Sequence, residues 1–373
     1  MKESDVMYKI GLTMIKGVGS LTAKGLISYL GSEEAVFHER PANLAKIPGI
    51  GKVLASQICD PAVLDRAKRE LEFVRKNSID ILFYTEDDYP LRLKECKDSP
   101  LLLYKKGDCD LNVQKTIGIV GTRKMTSYGR SVCESIVSDL AEKHHDLLIV
   151  SGLAYGVDIC AHKKALGCGL KTAGVMGHGH NMLYPQIHKS VADKMLLQGC
   201  LLSEYNTSQP IDRNNFVARN RVIAGLCDVT IVIESAAKGG ALLTADFANS
   251  YNRDVCAVPG SVGLPYSVGC NNLIKENRAA LVECAADIEA LMNWDMEQGN
   301  KRPFQIDLFH ELNEQELHVI NLLQEHKTLH INTIAKLMKL PSKELSPLLL
   351  EMEFRSLINC QPGGVYTMKL DKG

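Results

Sequence analysis

Long apolar runs are missing from this 373-residue sequence. None approaches the roughly 20 residues that a membrane-crossing helix needs. The opening Met1-Lys2-Glu3-Ser4-Asp5 has no apolar stretch of the secretory kind, so a cytoplasmic protein without a membrane partner is expected. Paired cysteines are missing as well. The 12 cysteines are scattered and no Cys-x-x-Cys pair occurs, which argues against a zinc site or a redox dithiol. Cys160, Cys227 and Cys256 sit among apolar neighbours and read as small core residues. A strong charge of either sign is absent too. The net charge is −1, and residues 1–115, residues 116–292 and the remainder carry +1, 0 and −2. A nucleic acid would therefore have to be held by a local cluster of cations and backbone amides, not by a basic surface. Nucleotide fingerprints are also lacking. Gly177-His178-Gly179 has no third glycine of the G-x-G-x-x-G pattern, and no Walker lysine-serine pair exists. His178 and His180 have no carboxylate or cysteine nearby in sequence to complete a metal set. No cofactor and no metal are expected.

What is present is an ordinary apolar content of 45%, enough for a proper core, and a length that calls for two or three domains. The first region, residues 1–70, consists of short helices punctuated by glycine. Lys16-Gly17-Val18-Gly19 and Ile47-Pro48-Gly49-Ile50-Gly51 each precede a helical run, the form of a helix-hairpin-helix (SAM-like) pair. Such hairpins leave backbone amides at a helix start, where a DNA phosphate can be held without reading sequence. A purely structural hairpin pair is the alternative, and acidic Glu33, Glu34 and Glu39 nearby favour it.

The second region, residues 71–295, opens with a bridge containing two short strands, 79–84 and 101–104. It continues as a regular alternation. Strands are expected at 116–120, 147–150, 172–176, 201–204, 229–234 and 255–258, with a seventh at 280–282. Helical stretches such as 128–143, 157–166 and 242–251 lie between them. Continuous apolar strands spaced by helices imply an α/β fold: a Rossmann-like, doubly wound, mostly parallel sheet covered on both faces. Ligands should then gather at the carboxyl ends of the strands. Residues 295–305 are polar and read as a linker. In the last region, 306–370, Asn313 is expected to cap a helix with Glu316 at its third position and Leu317, Ile320 and Leu323 on one face. A helix at 331–338, a helix after Pro341 interrupted by Pro347, and a hairpin around Gln361-Pro362-Gly363-Gly364 complete a winged-helix pattern. Its third helix carries Glu344, Glu351 and Glu353, which suits contact with protein better than reading of a DNA groove.

Four strand ends carry unusual residues and should share one edge of the sheet: Gly121-Thr122-Arg123, Ser151-Gly152-Leu153-Ala154-Tyr155-Gly156, Gly177-His178-Gly179 and Lys238-Gly239-Gly240-Ala241. Each offers amides at a helix start, where the dipole favours an anion, and Arg123 and Lys238 add full charges. The densest polar segment is Asn214-Asn215-Phe216-Val217-Ala218-Arg219-Asn220-Arg221, placed just before an apolar helix at 222–226. Arginine forks suit phosphate, Asn220 can bond a base or a backbone oxygen, and Phe216 can stack on an unpaired base. One of Arg219 and Arg221 is expected to pair with Glu204 or Glu234 and the other to meet ligand.

Ile119-Val120-Gly121-Thr122-Arg123, the segment from Ser151 to Asp158, the segment from Arg219 to Leu226, Leu242-Leu243-Thr244-Ala245 and the segment from Asp254 to Gly260 together resemble the motifs of the DNA-processing protein A (DprA/Smf) family, in the same order and spacing. That resemblance implies a dimeric, non-catalytic, cofactor-free protein that binds single-stranded DNA without sequence specificity. It also implies protection of that DNA and help in loading the RecA recombinase during natural transformation. By motif the DNA pocket would include Gly121, Thr122, Arg123, Ser151, Gly152, Arg219, Arg221, Lys238 and Gly240, to which the residue chemistry adds Tyr155, Phe216, Asn220 and Gly239. Two departures from the family stand out. Tyr155 replaces a residue that is basic in many members, and Gly239-Gly240-Ala241 replaces a Ser-Gly-Ser. A rival reading is a phosphoribohydrolase, but the catalytic glutamate of its glycine-rich loop has no counterpart here, Asp246 being the nearest acid. A scaffold acting through the terminal modules is a third.

Overall fold

The computed structural model describes residues 3–294, 313–326, 328–354, 357–361 and 364–368. It divides into two compact units, Met1–Asp295 and Met296–Gly373. The expected linker at 295–305, Arg355 and the hairpin residues Pro362 and Gly363 lie outside the described residues.

The first unit is built on nine strands: β1 (Asp80–Phe83), β2 (Leu102–Lys106), β3 (Thr116–Val120), β4 (Leu148–Ser151), β5 (Lys171–Met176), β6 (Cys200–Ser203), β7 (Val229–Val232), β8 (Asp254–Ala257) and β9 (Ala280–Leu281). They form one sheet in the order β1-β2-β6-β5-β4-β3-β7-β8-β9. The seven strands from β3 onward are parallel, as their continuous apolar character requires. Successive residues point to opposite faces. Ile117, Ile119, Ile149 and Ile231 pack with the helices Ser127–Lys143 and Val157–Gly167 on one side. Val120, Leu148, Val150 and Val232 pack with the helices Arg213–Leu226 and Gly240–Ser250 on the other. Cys160, Cys227 and Cys256 are buried and unbridged. The bridge strands join this sheet: β2 runs antiparallel to β6 and β1 antiparallel to β2.

Before the sheet come the helices Glu3–Thr13, Ser20–Leu30, Glu33–His38, Pro41–Leu44, Lys52–Ile58 and Pro61–Lys76. Gly17 and Gly49 turn the two hairpins with φ of 85° and 84°, the left-handed region where a side chain would be strained. The helices pack on β1 and β2: Ile10, Leu26, Ala67 and Leu71 share a cluster with Phe83, Leu102 and Tyr104.

In the second unit the helices Glu314–His326, Ile331–Met338 and Ser342–Phe354 surround a small antiparallel sheet, β10 (Thr328–His330), β11 (Ile358–Gln361) and β12 (Val365–Met368), in the order β10-β12-β11. The expected cap is reciprocal: Glu316 N donates to Asn313 Oδ1 at 2.8 Å, and Asn313 N to Glu316 Oε2 at 2.9 Å. Leu317 departs from expectation. It is exposed, and Val319 joins Ile320 and Leu323 in the core instead. Among the described residues no helix is long and apolar enough to cross a membrane.

Candidate functional site

The strand order creates the site. After β3 the chain moves one way, through β4 and β5 to β6. After β7, which lies against β3, it moves the other way to β8 and β9. The loops leaving β3 and β7 therefore diverge, and a crevice opens between them at the carboxyl edge. It holds a pocket of about 680 Å³ lined by Gly121, Thr122 and Arg123 after β3, by Ser235, Ala236, Gly239, Gly240 and Ala241 after β7, and by Arg213, Phe216, Val217, Arg219 and Asn220 of the Arg213–Leu226 helix.

The loop after β3 is fixed from behind. Thr122 N donates to Glu234 O at 2.7 Å. The Glu234 carboxylate, buried, accepts from Thr126 N at 2.8 Å and from Thr126 Oγ1 at 2.5 Å. Glu234 is thus occupied in holding the start of the Ser127–Lys143 helix. Arg123 beside it is exposed and makes no hydrogen bond or salt bridge among the described residues, while its charge favours the ionised form of Asp158.

The polar segment 214–221 is not a lead-in to a helix but the first two turns of one. Asp212 caps it, its Oδ1 accepting from Asn214 N at 2.6 Å. Residues two apart on a helix face different ways, and Arg219 and Arg221 do so. Arg221 turns from the pocket to an ion pair with Glu204 and stands 4.0 Å from Asp98. Arg219, only 3% exposed, forms the pocket floor. Its Nη1 donates to Gly152 O at 2.6 Å and to Val175 O, tying the ends of β4 and β5 to the helix. Burial lowers its pKa, and Asp158 alongside opposes that shift. Burial likewise raises the pKa of Asp158, with Arg219 opposing. A Cβ on Gly152 would stand 2.5 Å from Arg219 Nη1 and 2.6 Å from Asp158 Oδ2, so the floor needs glycine there.

Of the four expected loops, two line the pocket through their glycines. The helix Gly240–Ser250 starts at Gly239 with no side-chain cap, and Gly239, Gly240 and Ala241 at its start line the pocket. The loop after β4 contributes Ala154, the first turn of the Val157–Gly167 helix Asp158, and the loop after β5 Tyr184. His178 shapes that last loop. Its Nδ1–H donates to Gly179 O at 3.0 Å and its Nε2 accepts from Tyr184 N at 3.1 Å, a neutral tautomer consistent with a pKa lowered by burial. Phe216 meets Tyr184 at 5.6 Å between ring centroids. Asn220 Nδ2 donates to Gly240 O at 3.3 Å, joining the helix to the loop after β7.

Besides Arg221, four of the expected DNA-contact residues lie off the lining. Ser151 is buried and donates to Ile119 O at 2.6 Å, pinning β4 to β3. Gly152 lies beneath the floor. Tyr155 is exposed with its ring edge-on to His188 at 5.1 Å. Lys238 is exposed at the outer end of its loop. The sequence reading missed Arg213 and Val217. Both fall on one helix face with Phe216 and Asn220, at the three- and four-residue spacing that marks such a face once the helix start is placed correctly. Arg213 is exposed and has no ionic partner among the described residues. The pocket therefore offers cations on two opposite walls, an uncapped helix start, and the aromatic rings of Phe216 and Tyr184 on the side of Arg213. That set suits a phosphate joined to a planar base.

A model of the DNA recombination-mediator protein A family matches residues 80–293, and one of the SAM-like helix-hairpin-helix tandem matches residues 10–62. The chain is 32% identical over 308 residues to the Smf protein of Synechocystis, covering 81% of this chain and 77% of that one. It is 39% identical over 227 residues to the DNA processing protein DprA of Streptococcus pneumoniae, covering 61% and 78%. The X-ray structure of DNA processing protein A from Streptococcus pneumoniae superposes with a TM-score of 0.63 at 32% identity, over 78% of this chain and 98% of that one. A structure from Helicobacter pylori, concerned with the single-stranded DNA binding mode of its DNA processing protein A, gives 0.53 at 28% identity, over 58% and 96%.

Proposed function

The chain belongs to the DNA recombination-mediator protein A family, and on that premise we propose that it binds single-stranded DNA without regard to sequence, in the crevice between β3 and β7. The observation that carries this reading is the pair of unengaged arginines, Arg123 and Arg213, on opposite walls of a pocket that also holds Phe216, Tyr184 and an uncapped helix start. Amides and guanidinium groups hold a backbone phosphate, and aromatic faces accept any base. Duplex DNA keeps its bases stacked inside and cannot offer them to Phe216. Arg219 and Asn220 complete the site from the floor, with Gly121, Thr122, Gly239 and Gly240 as the close backbone approach. Ser151, Gly152 and Arg221 act behind it, and Tyr155 and Lys238 at its margin.

Protection of the strand and its transfer to a RecA recombinase follow from the family resemblance, as does a homodimer. We read the chain as a helical domain at 1–70, a core at 71–295 and a winged helix at 306–370. The order helix, strand, two helices and hairpin in the second unit supports the last of these. The protein acts by binding, without catalysis. Asp246, the nearest acid to the glycine-rich loop, is paired with Arg278, and Asp158, the carboxylate in the lining, is set against Arg219.

The test is titration of the full chain with labelled oligo-dT and with duplex of equal length across a salt series. Single strands should bind more tightly, with a modest salt slope because few cations take part. Equal affinity for duplex removes the reading. A nucleotide-hydrolysis assay on the same sample should give no product.

A further inference from the structure

Glu70 lies on the Pro61–Lys76 helix, outside the sheet and away from the pocket lining. It is 4% exposed and has no cationic partner among the described residues. Its carboxylate is spent on one residue. Thr207 N lies 3.1 Å from both Oε1 and Oε2, and the Thr207 hydroxyl donates to Oε2. The Thr207 carbonyl in turn accepts from Asn181 Nδ2 at 3.1 Å. A buried carboxylate without a counter-charge is costly, and burial raises its proton affinity. Core packing alone is served more cheaply by an apolar side chain.

What Thr207 carries explains the arrangement. It sits in the connection between β6 and the Arg213–Leu226 helix, inside a tight turn where Asn206 Oδ1 accepts from Ser208 N at 3.0 Å and Asn206 O from Gln209 N at 3.3 Å. That connection delivers Ile211, Arg213 and Phe216 to the outer wall of the pocket. Arg123 stands on the opposite wall, carried by β3 and braced by Glu234. Glu70 thus anchors one wall and not the other.

We infer that Glu70 is a positioning residue for strand binding: through Thr207 the N-terminal helical module holds the wall bearing Arg213 and Phe216 in its binding position. This rests on the single-strand reading above. It gives the helical module a part in the site that needs no contact between its hairpins and DNA.

The experiment compares oligo-dT affinity and melting temperature in the full chain for Glu70→Gln, Glu70→Ala, Thr207→Val, Arg213→Ala and Arg123→Ala, with the Glu70 and Thr207 changes also combined with each arginine change. Thr207→Val keeps the side-chain shape at a partly exposed loop position and tests the same contact should Glu70→Ala fail to fold. Glu70→Ala and Thr207→Val should each weaken binding about three- to tenfold, the scale of reordering one or two side chains. The two together should be no worse than the larger, and Glu70→Gln, which keeps one acceptor, should lose less. In either background Arg213→Ala should cost less than it does in the parent, while Arg123→Ala should cost the same. Unchanged affinity in folded variants overturns the inference, and so does an equal shrinkage of both arginine contributions, which marks general loosening. A parent chain that fails to bind oligo-dT removes the strand reading itself, and this inference with it.

Discussion

Of the four arginines in or beside the pocket, Arg123, Arg219 and Arg221 have three different fates, and their surroundings decide which. Arg123 is exposed and unengaged, Arg219 is buried under carbonyl groups, and Arg221 is locked to Glu204. A charge-assisted contact to phosphate contributes about 1.5–3 kcal/mol, roughly 10- to 150-fold in affinity. Arg123→Ala should weaken oligo-dT binding by that order and leave the melting temperature unchanged, because Glu234 is already held by Thr126. Arg123→Lys should recover only part, for want of the planar fork. Arg221→Ala should do the reverse. It strands the Glu204 carboxylate, whose side chain is 13% exposed, so it is destabilising and lowers the melting temperature while Arg123 still contributes. Measuring both quantities on both variants checks the assignment. Arg123 was legible in the sequence because a strand ending in Gly-Thr-Arg can only project its last residue from the sheet edge. That one of Arg219 and Arg221 pairs with Glu204 or Glu234 was legible too, and the partner is Glu204. Which of the two arginines pairs was not, because that depends on the rotation of a helix whose start had been placed nine residues late.

Among the elements, the parallel strands were readable nearly to the residue, since burial on both faces leaves an unbroken apolar run. The Arg213–Leu226 helix was not, because its first two turns are polar where they face the pocket, and polar residues hide a helical period. Asp212, a capping residue in type and place, was the available signal. The junction of the Val157–Gly167 helix with β5 yields a prediction of its own. Thr172 Oγ1 donates to Ile149 O at 2.8 Å, so it accepts from His162 Nδ1–H at 2.7 Å. The ring is neutral, and its pKa is lowered to about 3, chiefly by burial, with Arg219 and His188 adding to the effect. Below pH 6.5 the unfolded chain takes a proton there that the folded chain refuses, so this group's contribution is lost as pH falls from about 6.5 toward 3, at about 1.4 kcal/mol per pH unit. Buried Glu70, Asp158 and Glu204, whose pKa values are raised, tilt the other way. The readout is therefore a difference. Against the parent, His162→Gln should be less stable at pH 7.5 and should lose less stability on going to pH 5 in denaturant titrations.

At the scale of the whole molecule, every lining residue of the pocket belongs to the first compact unit. A chain ending at residue 294 should bind oligo-dT as tightly as the full one, and a fall of more than a few fold would assign the second unit a direct part in holding DNA. The bridge strands show what the pattern of the sequence alone could not reveal. β1 and β2 were visible as strands, but their antiparallel place beside β6 depends on partners about a hundred residues away. The same separation governs the crevice. Ile117 of β3 pairs with Ile149 of β4 and with Val229 of β7, and the second partner is made more than 100 residues after the first strand. On the ribosome, the half of the sheet from β3 to β6 can assemble while β3 still shows a bare apolar edge. The β7 flank closes that edge and brings the loop with Gly239 and Gly240 to the pocket in one step. A nascent or prematurely terminated chain therefore has no weak version of the site. It has an unpaired apolar edge where the site will be until residues 229–241 have emerged.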